Sequence, residues 1–381
     1  MKTILIFVPN YYPGFKSGGV ARSVLNSTGW LGDEFNLLVV TRDRDLGSNI
    51  PYPDITYNNW TRLGSTKVRY LAPNQLTLKY LRGLVKETPH DVLHLNSFFD
   101  SVFTIKLLLL RRLGLIEKSR VLISPRGEFG WGSLRFKYPK KRLYIFLSRI
   151  AGFYRSILWH ASSPFESADI VKAIGVDPTK VLTALDLPVR GSEIALPSEN
   201  SGERLKVVYL ARLTREKNLD GALRLLQKVC HSIDFDIVGP KEDAKYWSEC
   251  EDLLAKLPKN IRATYRGVVP PEQVFETLTE YDLMFLPSHG ENYGHVIAEA
   301  LSVGTRVLIS TLTPWRGLES DGLGWDVDLA DGQCYADIID MLASQTPAER
   351  IAIRATVREA AKRRLFDPIV LENNRDLYSV D

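Results

Sequence analysis

Residues 283–304 have the sequence LMFLPSHGENYGHVIAEALSVG, in which an apolar run, a glycine-bearing loop and a helical pattern follow one another. The apolar run predicts a buried strand over Leu283–Pro287, and a helix is expected to begin near Gly294. The first N–H groups of a helix have no partner within it and lie at the positive end of its dipole, so this turn predicts an anion-binding site. Glu291 in the loop and Glu299 on the helix place two carboxylates beside that site, where they suit hydroxyl groups of the bound ligand.

Short apolar strands alternate with helical patterns along the whole chain. Near-continuous apolar strands separated by amphipathic helices predict parallel sheets covered on both faces, and therefore an α/β fold. The predicted strands are Thr3–Val8, Phe35–Thr41, Asp91–Leu95, Arg120–Ser124, Ile157–Ser162, Lys206–Ala211, Phe235–Gly239, Ala263–Gly267, Leu283–Pro287 and Arg306–Ser310.

The length of 381 residues favours two domains. A polar stretch with Pro and Ser, Ile194–Arg204, predicts the boundary between them. The first domain is expected to span 1–195 and the second 205–360, with a final helix in 361–381 that packs back on the first domain. Each domain is predicted to be a doubly wound, Rossmann-like sheet, and such sheets bind ligands beyond the carboxyl ends of their strands. Two of them facing each other would form a cleft.

The composition is typical of a soluble globular enzyme, with 45% hydrophobic and 25% charged residues. Cys230, Cys250 and Cys334 are widely spaced, which argues against a disulfide framework or a zinc site and favours a reducing compartment. The apolar run Ile4–Val8 is too short for a signal peptide, and no membrane-spanning helix is predicted. We therefore expect a cytoplasmic protein, with the inner face of a membrane as the alternative location.

A second motif, VVYLARLTREKN at 207–218, begins with the first strand of the predicted second domain. It places Arg212 and Lys217 at the carboxyl end of that strand, facing the predicted cleft. The positive dipole end of a helix disfavours cations, so two cations at such a turn indicate a bound anion. They would neutralise phosphate charge as a leaving group departs.

Together, the E-x7-E pattern after a Pro-Ser turn and the Arg-Leu-x-x-x-Lys element resemble the donor site of retaining glycosyltransferase family 4 (glycosyl transferases group 1), which has the GT-B fold. The resemblance implies that Glu291 contacts the donor sugar and Glu299 the ribose, and that Glu291, Arg212 and Lys217 are the catalytic residues. Ala211 and Asn218 stand where the family usually has glycine. The residues implied to bind the donor diphosphate are Arg212, Lys217, Gly294, His295 and Val296.

The resemblance also assigns residues outside these two motifs. Gly18 and Gly19 follow the first strand, and in the family such a loop closes over the diphosphate or the acceptor; a plain glycine-rich turn is the alternative. Arg126 stands where many relatives have a sugar-contacting histidine, so it could serve the donor or an anionic acceptor, and Glu128 is a candidate acceptor contact. Val268 lies at the turn near which the family binds the base, largely through backbone groups.

Several titratable residues are interpreted as structural. His94 and His160 lie at the ends of apolar strands, where a hydrogen-bonded histidine of the core or rim is the more common role. The pairs Asp234–Asp236 and Asp326–Asp328 match the D-x-D metal motif of the other glycosyltransferase fold, but the sequence around them does not. We therefore expect no metal and no cofactor, with a nucleoside-diphosphate-sugar as donor substrate.

Residues 101–160 contain 13 Lys or Arg and two acids, Glu117 and Glu128. Basic and aromatic residues are mixed within 131–160, which suits peripheral contact with a membrane surface or a phosphorylated acceptor. A solvated basic face explains the composition equally well. Nucleic acid is not an expected partner, because no recognised binding motif accompanies the charge. A glycan or a lipid-linked acceptor is expected instead.

The predicted reaction moves a sugar from a nucleoside diphosphate to an acceptor hydroxyl with retention, as in the synthesis of bacterial-type surface polysaccharide or lipid-linked glycan. The sequence leaves the sugar, the base, the acceptor and the linkage open. Three alternatives are a nucleotide-sugar epimerase on the same fold, a non-catalytic sugar-nucleotide-binding protein, and a Rossmann oxidoreductase. The missing G-x-G-x-x-G fingerprint counts against the last of these.

Overall fold

The chain forms two compact α/β units. The computed structural model describes residues 1–14, 16, 18–53, 55–57, 59–130, 138–190 and 202–379. One unit consists of Met1–Arg190 together with Pro368–Asp381, and the other of Gly191–Asp367. Within the described residues each unit contains one sheet with predominantly parallel strands. The predicted α/β fold class with two doubly wound sheets is therefore confirmed.

The first unit is built on a sheet in which the central strand pairs on both sides with parallel neighbours. Its strands are β1 (Thr3–Phe7), β2 (Asn36–Arg42), β3 (Thr61–Leu63), β4 (Thr66–Leu71), β5 (Val92–Asn96), β6 (Arg120–Ser124), β7 (Ile157–Ala161) and β8 (Val181–Thr183). Their order is β3-β4-β2-β1-β5-β6-β7-β8, and β3 is antiparallel to β4. The helices are α1 (Gly19–Leu31), α2 (Leu78–Glu87), α3 (Lys106–Arg112), α4 (Tyr138–Ile150) and α5 (Pro164–Ile174).

The second unit contains a parallel sheet with its most apolar strands at the centre. The strands are β9 (Leu205–Leu210), β10 (Ile233–Val238), β11 (Ile261–Gly267), β12 (Leu283–Leu286), β13 (Arg306–Ser310) and β14 (Gly324–Val327), in the order β11-β10-β9-β12-β13-β14. The helices are α6 (Leu219–Leu226), α7 (Ala244–Leu254), α8 (Val274–Thr279), α9 (His295–Ser302), α10 (Gly332–Ala343) and α11 (Pro347–Leu365). Because β9 and β12 are neighbours, the two loops that follow them lie side by side.

All ten predicted strands are present, and their ends differ from the predicted ends by two residues or fewer. Strands β3, β4, β8 and β14 were not predicted from the sequence. Strands β3 and β8 have three residues each, and β4 alternates buried residues with Lys67 and Arg69. Such short or half-polar strands give a weaker apolar signal than the buried central ones.

The boundary predicted at residue 360 is wrong, because it falls inside α11. The Arg-rich sequence of this helix looks solvent-exposed, but Arg350 and Arg354 are buried. Both face Asp282 at the start of β12, with Arg354 Nη2 3.1 Å and Arg350 Nε 3.5 Å from its carboxylate oxygens. A buried charge is tolerated only beside its partner, so the whole helix belongs to the second unit. The linker expected at 194–204 lies mostly outside the described residues.

The last helix, α12 (Pro368–Ser379), belongs to the first unit. Tyr378 is buried, and its hydroxyl lies 2.9 Å from His94 Nδ1. Asn374 donates a hydrogen bond of 2.8 Å to the carbonyl of Leu185, and a bidentate ion pair joins Arg375 to Glu34. Apolar burial and polar contacts thus hold the end of the chain on the first unit.

Helix α9 begins at a residue with a backbone conformation that favours glycine. Gly294 is its N-cap, with φ +84° and ψ +60°. A Cβ atom there would lie 2.8 Å from Ile297 Cδ1, closer than real Cβ contacts allow. The left-handed conformation costs other residues about 1–2 kcal/mol. Gly294 therefore fixes the direction in which the loop from β12 enters the helix.

We predict that Gly294→Ala lowers the free energy of unfolding by about 1–2 kcal/mol, because alanine is strained at this φ. Gly290→Ala in the same loop is the matched control: no atom lies within 4 Å of its added Cβ, so we expect a change within about 0.5 kcal/mol. Urea unfolding of both variants checks this. Equal effects of the two substitutions would contradict the role given to Gly294.

Candidate functional site

The loops after β9 and β12 are joined by hydrogen bonds at the carboxyl edge of the second sheet. The backbone N–H of His289 donates to the carbonyl of Glu216 over 2.8 Å. Asn218 Nδ2 donates to the carbonyl of Pro287, also over 2.8 Å. These bonds fix the position of each loop relative to the other, so side chains from two separate sequence motifs are held in one place.

Lys217 and Glu291 form an ion pair in this position, with Lys217 Nζ 2.7 Å from Glu291 Oε1. Their side chains are 14% and 9% exposed, so the pair is largely shielded from water. The hydroxyl of buried Tyr209 donates to the Lys217 carbonyl over 2.8 Å, which anchors the lysine backbone. The structure thus brings together a cation and an acid that lie 74 residues apart in the chain.

Arg212 lies earlier in the same loop and has a weaker partner. Its Nη1 is 3.3 Å from Glu242 Oε2, and both side chains are more than a third exposed. Exposed ion pairs of this kind contribute between 0 and about 1 kcal/mol. The guanidinium can therefore exchange Glu242 for another anion at little cost. The sequence pointed to Arg212 through its motif but gave no signal for Glu242, which lies 30 residues further on.

Asn218 occupies a left-handed backbone position, with φ +60° and ψ +44°, as the N-cap of α6. Glycine is favoured in this region, and asparagine is among the side chains that tolerate it best. The departure from the expected glycine at this position is therefore conservative in backbone terms. Asparagine adds the hydrogen bond to Pro287 that glycine would lack.

The start of α9 follows directly from the loop that carries Glu291. His295 and Val296 are its first residues, and the N–H groups of a first helical turn point out of the helix end. Trp315 Nε1 donates a hydrogen bond of 2.6 Å to the Tyr293 carbonyl, which fixes the loop before the helix. Glu299 lies one turn further along and is buried. A helix end, two acids and two cations thus belong to one edge of the second unit, an arrangement suited to an anion that also carries hydroxyl groups.

Val268 follows β11 on the same sheet and is half exposed. Gly267 before it has φ +85° and leaves space where a side chain would stand. The predicted contact of Val268 with a base stays a prediction.

In the first unit, Gly18 and Gly19 form the start of α1. Gly18 has φ +67° and caps the helix, and Gly19 is its first residue. Ser23 Oγ lies 3.0 Å from the Gly19 carbonyl and 2.5 Å from Asp186 Oδ2. The glycine turn is therefore tied to Asp186, a residue that the motifs did not indicate. The predicted contact of both glycines with a diphosphate stays a prediction.

The side chain of Arg126 is buried within the first unit and paired. Its Nη1 lies 2.7 Å from Asp186 Oδ1, and its Nε donates to Asn96 Oδ1 over 3.0 Å. Glu128 accepts hydrogen bonds from Ser97 Oγ and from the backbone N–H groups of Phe98 and Phe99. Burial raises the pKa of Glu128 above its ordinary value. Their predicted contacts with sugar or acceptor stay predictions, and the structure gives both side chains a role in holding loops.

His94 and His160 belong to a buried chain of hydrogen bonds through Ser124. Ser124 Oγ lies 2.7 Å from His94 Nε2 and 2.8 Å from His160 Nδ1. Burial lowers the pKa of His160 to about 4 and holds that of His94 well below its ordinary value. Both imidazoles are therefore neutral near pH 7, in agreement with their interpretation as core residues.

The two D-x-D pairs are engaged in local structure. Asp236 Oδ2 accepts from Tyr281 and Arg266, each over 2.9 Å, and Asp326 Oδ1 accepts from the Leu318 N–H. Within the described ranges, no group of three His, Cys, Asp or Glu is arranged to hold a metal ion.

Residues 193–360 match the family model described as Glycosyl transferases group 1. A 41.2 kDa protein in the cps region of Klebsiella pneumoniae is 26% identical over 265 residues, which are 67% of this chain and 70% of that protein. The crystal structure of Alr3699/HepE from Anabaena in complex with UDP and glucose is similar with a TM-score of 0.71 and 16% identity, over 99% of this chain and 98% of that one.

WaaG, a glycosyltransferase involved in lipopolysaccharide biosynthesis, is similar with a TM-score of 0.65 and 14% identity, over 99% of this chain and the whole of that one. These structural likenesses extend over both units, and the family match covers the unit that contains the Lys217–Glu291 pair. Residues 193–360 therefore match the glycosyl transferases group 1 family, and the chain is a glycosyltransferase with the GT-B fold.

Proposed function

We propose that this glycosyltransferase moves a sugar from a UDP-sugar to an acceptor hydroxyl and retains the anomeric configuration. The observation that carries the proposal is the Lys217–Glu291 pair of 2.7 Å directly before the start of α9. A diphosphate on the helix start would draw Lys217 towards its charge and release the Glu291 carboxylate for a sugar hydroxyl. Lys217 thus binds the leaving group while Glu291 orients the sugar.

The diphosphate has a defined set of partners in this proposal. The N–H groups at Gly294, His295 and Val296 donate to its oxygens, and Lys217 with Arg212 neutralises its charge. Glu242 gives up Arg212 when the donor binds, at the small cost of an exposed pair. Glu299 accepts from the ribose.

In the proposed reaction one bond to the sugar C1 breaks and another forms. The bond between the sugar C1 and the β-phosphate oxygen breaks, and its electron pair goes to the phosphate. The acceptor oxygen forms the new bond on the same face of the sugar, and its proton passes to the departing phosphate. Arg212, Lys217 and the helix dipole stabilise the charge that develops there, and Glu291 orients the sugar. The proposal uses no metal and no separate protein base.

Uridine is proposed as the base because the similar Anabaena protein was crystallised with UDP and glucose. For the acceptor, we propose a surface polysaccharide or a lipid-linked glycan. The support is the position of the Klebsiella relative in a cps region and the part that WaaG plays in lipopolysaccharide biosynthesis.

The donor is tested by thermal unfolding of the protein with UDP-, GDP-, ADP- and dTDP-glucose. A ligand that binds only the native state raises the melting temperature by an amount that grows with the logarithm of its concentration relative to its Kd. We expect the largest rise with UDP-glucose, and a similar rise with UDP alone because the diphosphate carries most of the contacts. A largest rise with another base would overturn the assignment of uridine, and no rise with any of the four would count against a nucleotide site.

The role of Glu291 is tested by Glu291→Gln, which removes the charge but retains hydrogen-bonding groups. We expect turnover to fall about a hundredfold or more, while UDP binding is kept or strengthened because Lys217 loses its competing carboxylate. Glu249→Gln is the control, since Glu249 forms an exposed pair with Arg215 and should leave turnover unchanged. Initial rates and UDP titrations measure both quantities.

Near wild-type turnover of Glu291→Gln would remove Glu291 from the reaction. Formation of an epimerised donor without acceptor would instead favour an epimerase on the same fold.

A further inference from the structure

Helix α4 presents a row of large apolar side chains to solvent. Leu143, Phe146, Leu147 and Ile150 are 59%, 60%, 54% and 69% exposed. Their spacing of three and four residues places them on one face of the helix. A contiguous exposed apolar face of this kind marks a surface that meets a partner or a membrane.

The opposite face fixes the helix on the first unit. Ile145 and Ser148 are buried, and Tyr144 lies against Phe98 with ring centroids 5.6 Å apart. The Tyr154 hydroxyl donates to Ser148 Oγ over 2.6 Å. Because these contacts occupy the inner face, the helix cannot turn its apolar row inwards without breaking them.

Along the sequence, the charged residues on either side of the apolar row have one sign. From Phe129 to Phe165 the sequence contains no Asp or Glu. Lys140, Arg142 and Arg149 are exposed on α4 itself, and Arg155 is exposed just beyond its end. Basic residues beside exposed apolar ones complement a surface that is anionic outside and apolar beneath.

We propose that this face of α4 lies on an anionic lipid bilayer, with Leu143, Phe146, Leu147 and Ile150 inserted among the lipids and the cations at the headgroups. A helix of 13 residues is about 20 Å long, so it lies along the surface and does not cross it. Within the described residues no helix is long and apolar enough to span a membrane. The sequence predicted membrane contact for 131–160. Residues 131–137 lie outside the described residues, so the proposed contact is restricted to α4 and the residues that follow it.

The proposal is independent of the proposed reaction and is tested by co-sedimentation with vesicles. One set contains phosphatidylcholine alone, and the other equal parts of phosphatidylcholine and phosphatidylglycerol. We expect the wild-type protein to bind the anionic vesicles at least about tenfold more strongly, and added salt to weaken that binding.

Two pairs of substitutions separate the apolar from the charged contribution. Phe146→Gln with Ile150→Gln should weaken binding to anionic vesicles by at least about tenfold. The matched control is Ile50→Gln with Ile369→Gln, two residues of the first unit that are 77% and 61% exposed, and it should change binding less than about twofold. Lys140→Gln with Arg149→Gln should weaken binding roughly tenfold and reduce its dependence on salt.

Unchanged vesicle binding of the Phe146 and Ile150 pair, or equal binding of wild-type protein to both kinds of vesicle, would overturn the proposal. A dimer seen by light scattering that the same pair dissociates, with no vesicle binding, would identify the face as a contact between two copies of the chain and would also overturn it. The rise in melting temperature with UDP should be the same in every variant, so failure of this proposal is distinguishable from failure of the nucleotide site.

Discussion

The ion pair between Lys217 and Glu291 is the constraint on which the proposed donor site depends. It joins loops from two strands that are neighbours in the sheet but far apart in the chain. A largely buried pair is stable only while both partners stay in place. The pair therefore holds a cation and an acid beside the same helix end. An anion that arrives there can exchange with the carboxylate without leaving Lys217 uncompensated.

The parallel sheet explains why so much of this site could be predicted from the sequence. Buried central strands give long apolar runs, and the carboxyl ends of parallel strands meet at one edge, so motifs such as those around Arg212 and Glu291 are expected to converge. The partners of these residues could not be predicted. Glu242 and Asp186 carry no motif of their own, and only the folded chain brings them to Arg212 and Arg126.

Charge on helices was the least informative pattern in the sequence. Helix α11 looks like a solvated basic helix, yet Arg350 and Arg354 are buried because Asp282 faces both. Helix α4 has a similar density of cations, yet its apolar residues are exposed and its cations have no acid nearby in sequence. The density of cations alone does not separate these two helices, because the difference lies in which neighbour each helix meets. Only one of them is left with an apolar face that needs a partner.

A crystal structure of the protein with UDP bound would show directly whether the diphosphate displaces Glu291 from Lys217. We expect the diphosphate at the start of α9, within hydrogen-bond distance of the backbone N–H groups of His295 or Val296. We also expect Lys217 Nζ to have moved from Glu291 to a phosphate oxygen. A diphosphate bound elsewhere, with the Lys217–Glu291 pair still intact at 2.7 Å, would contradict the proposed donor site.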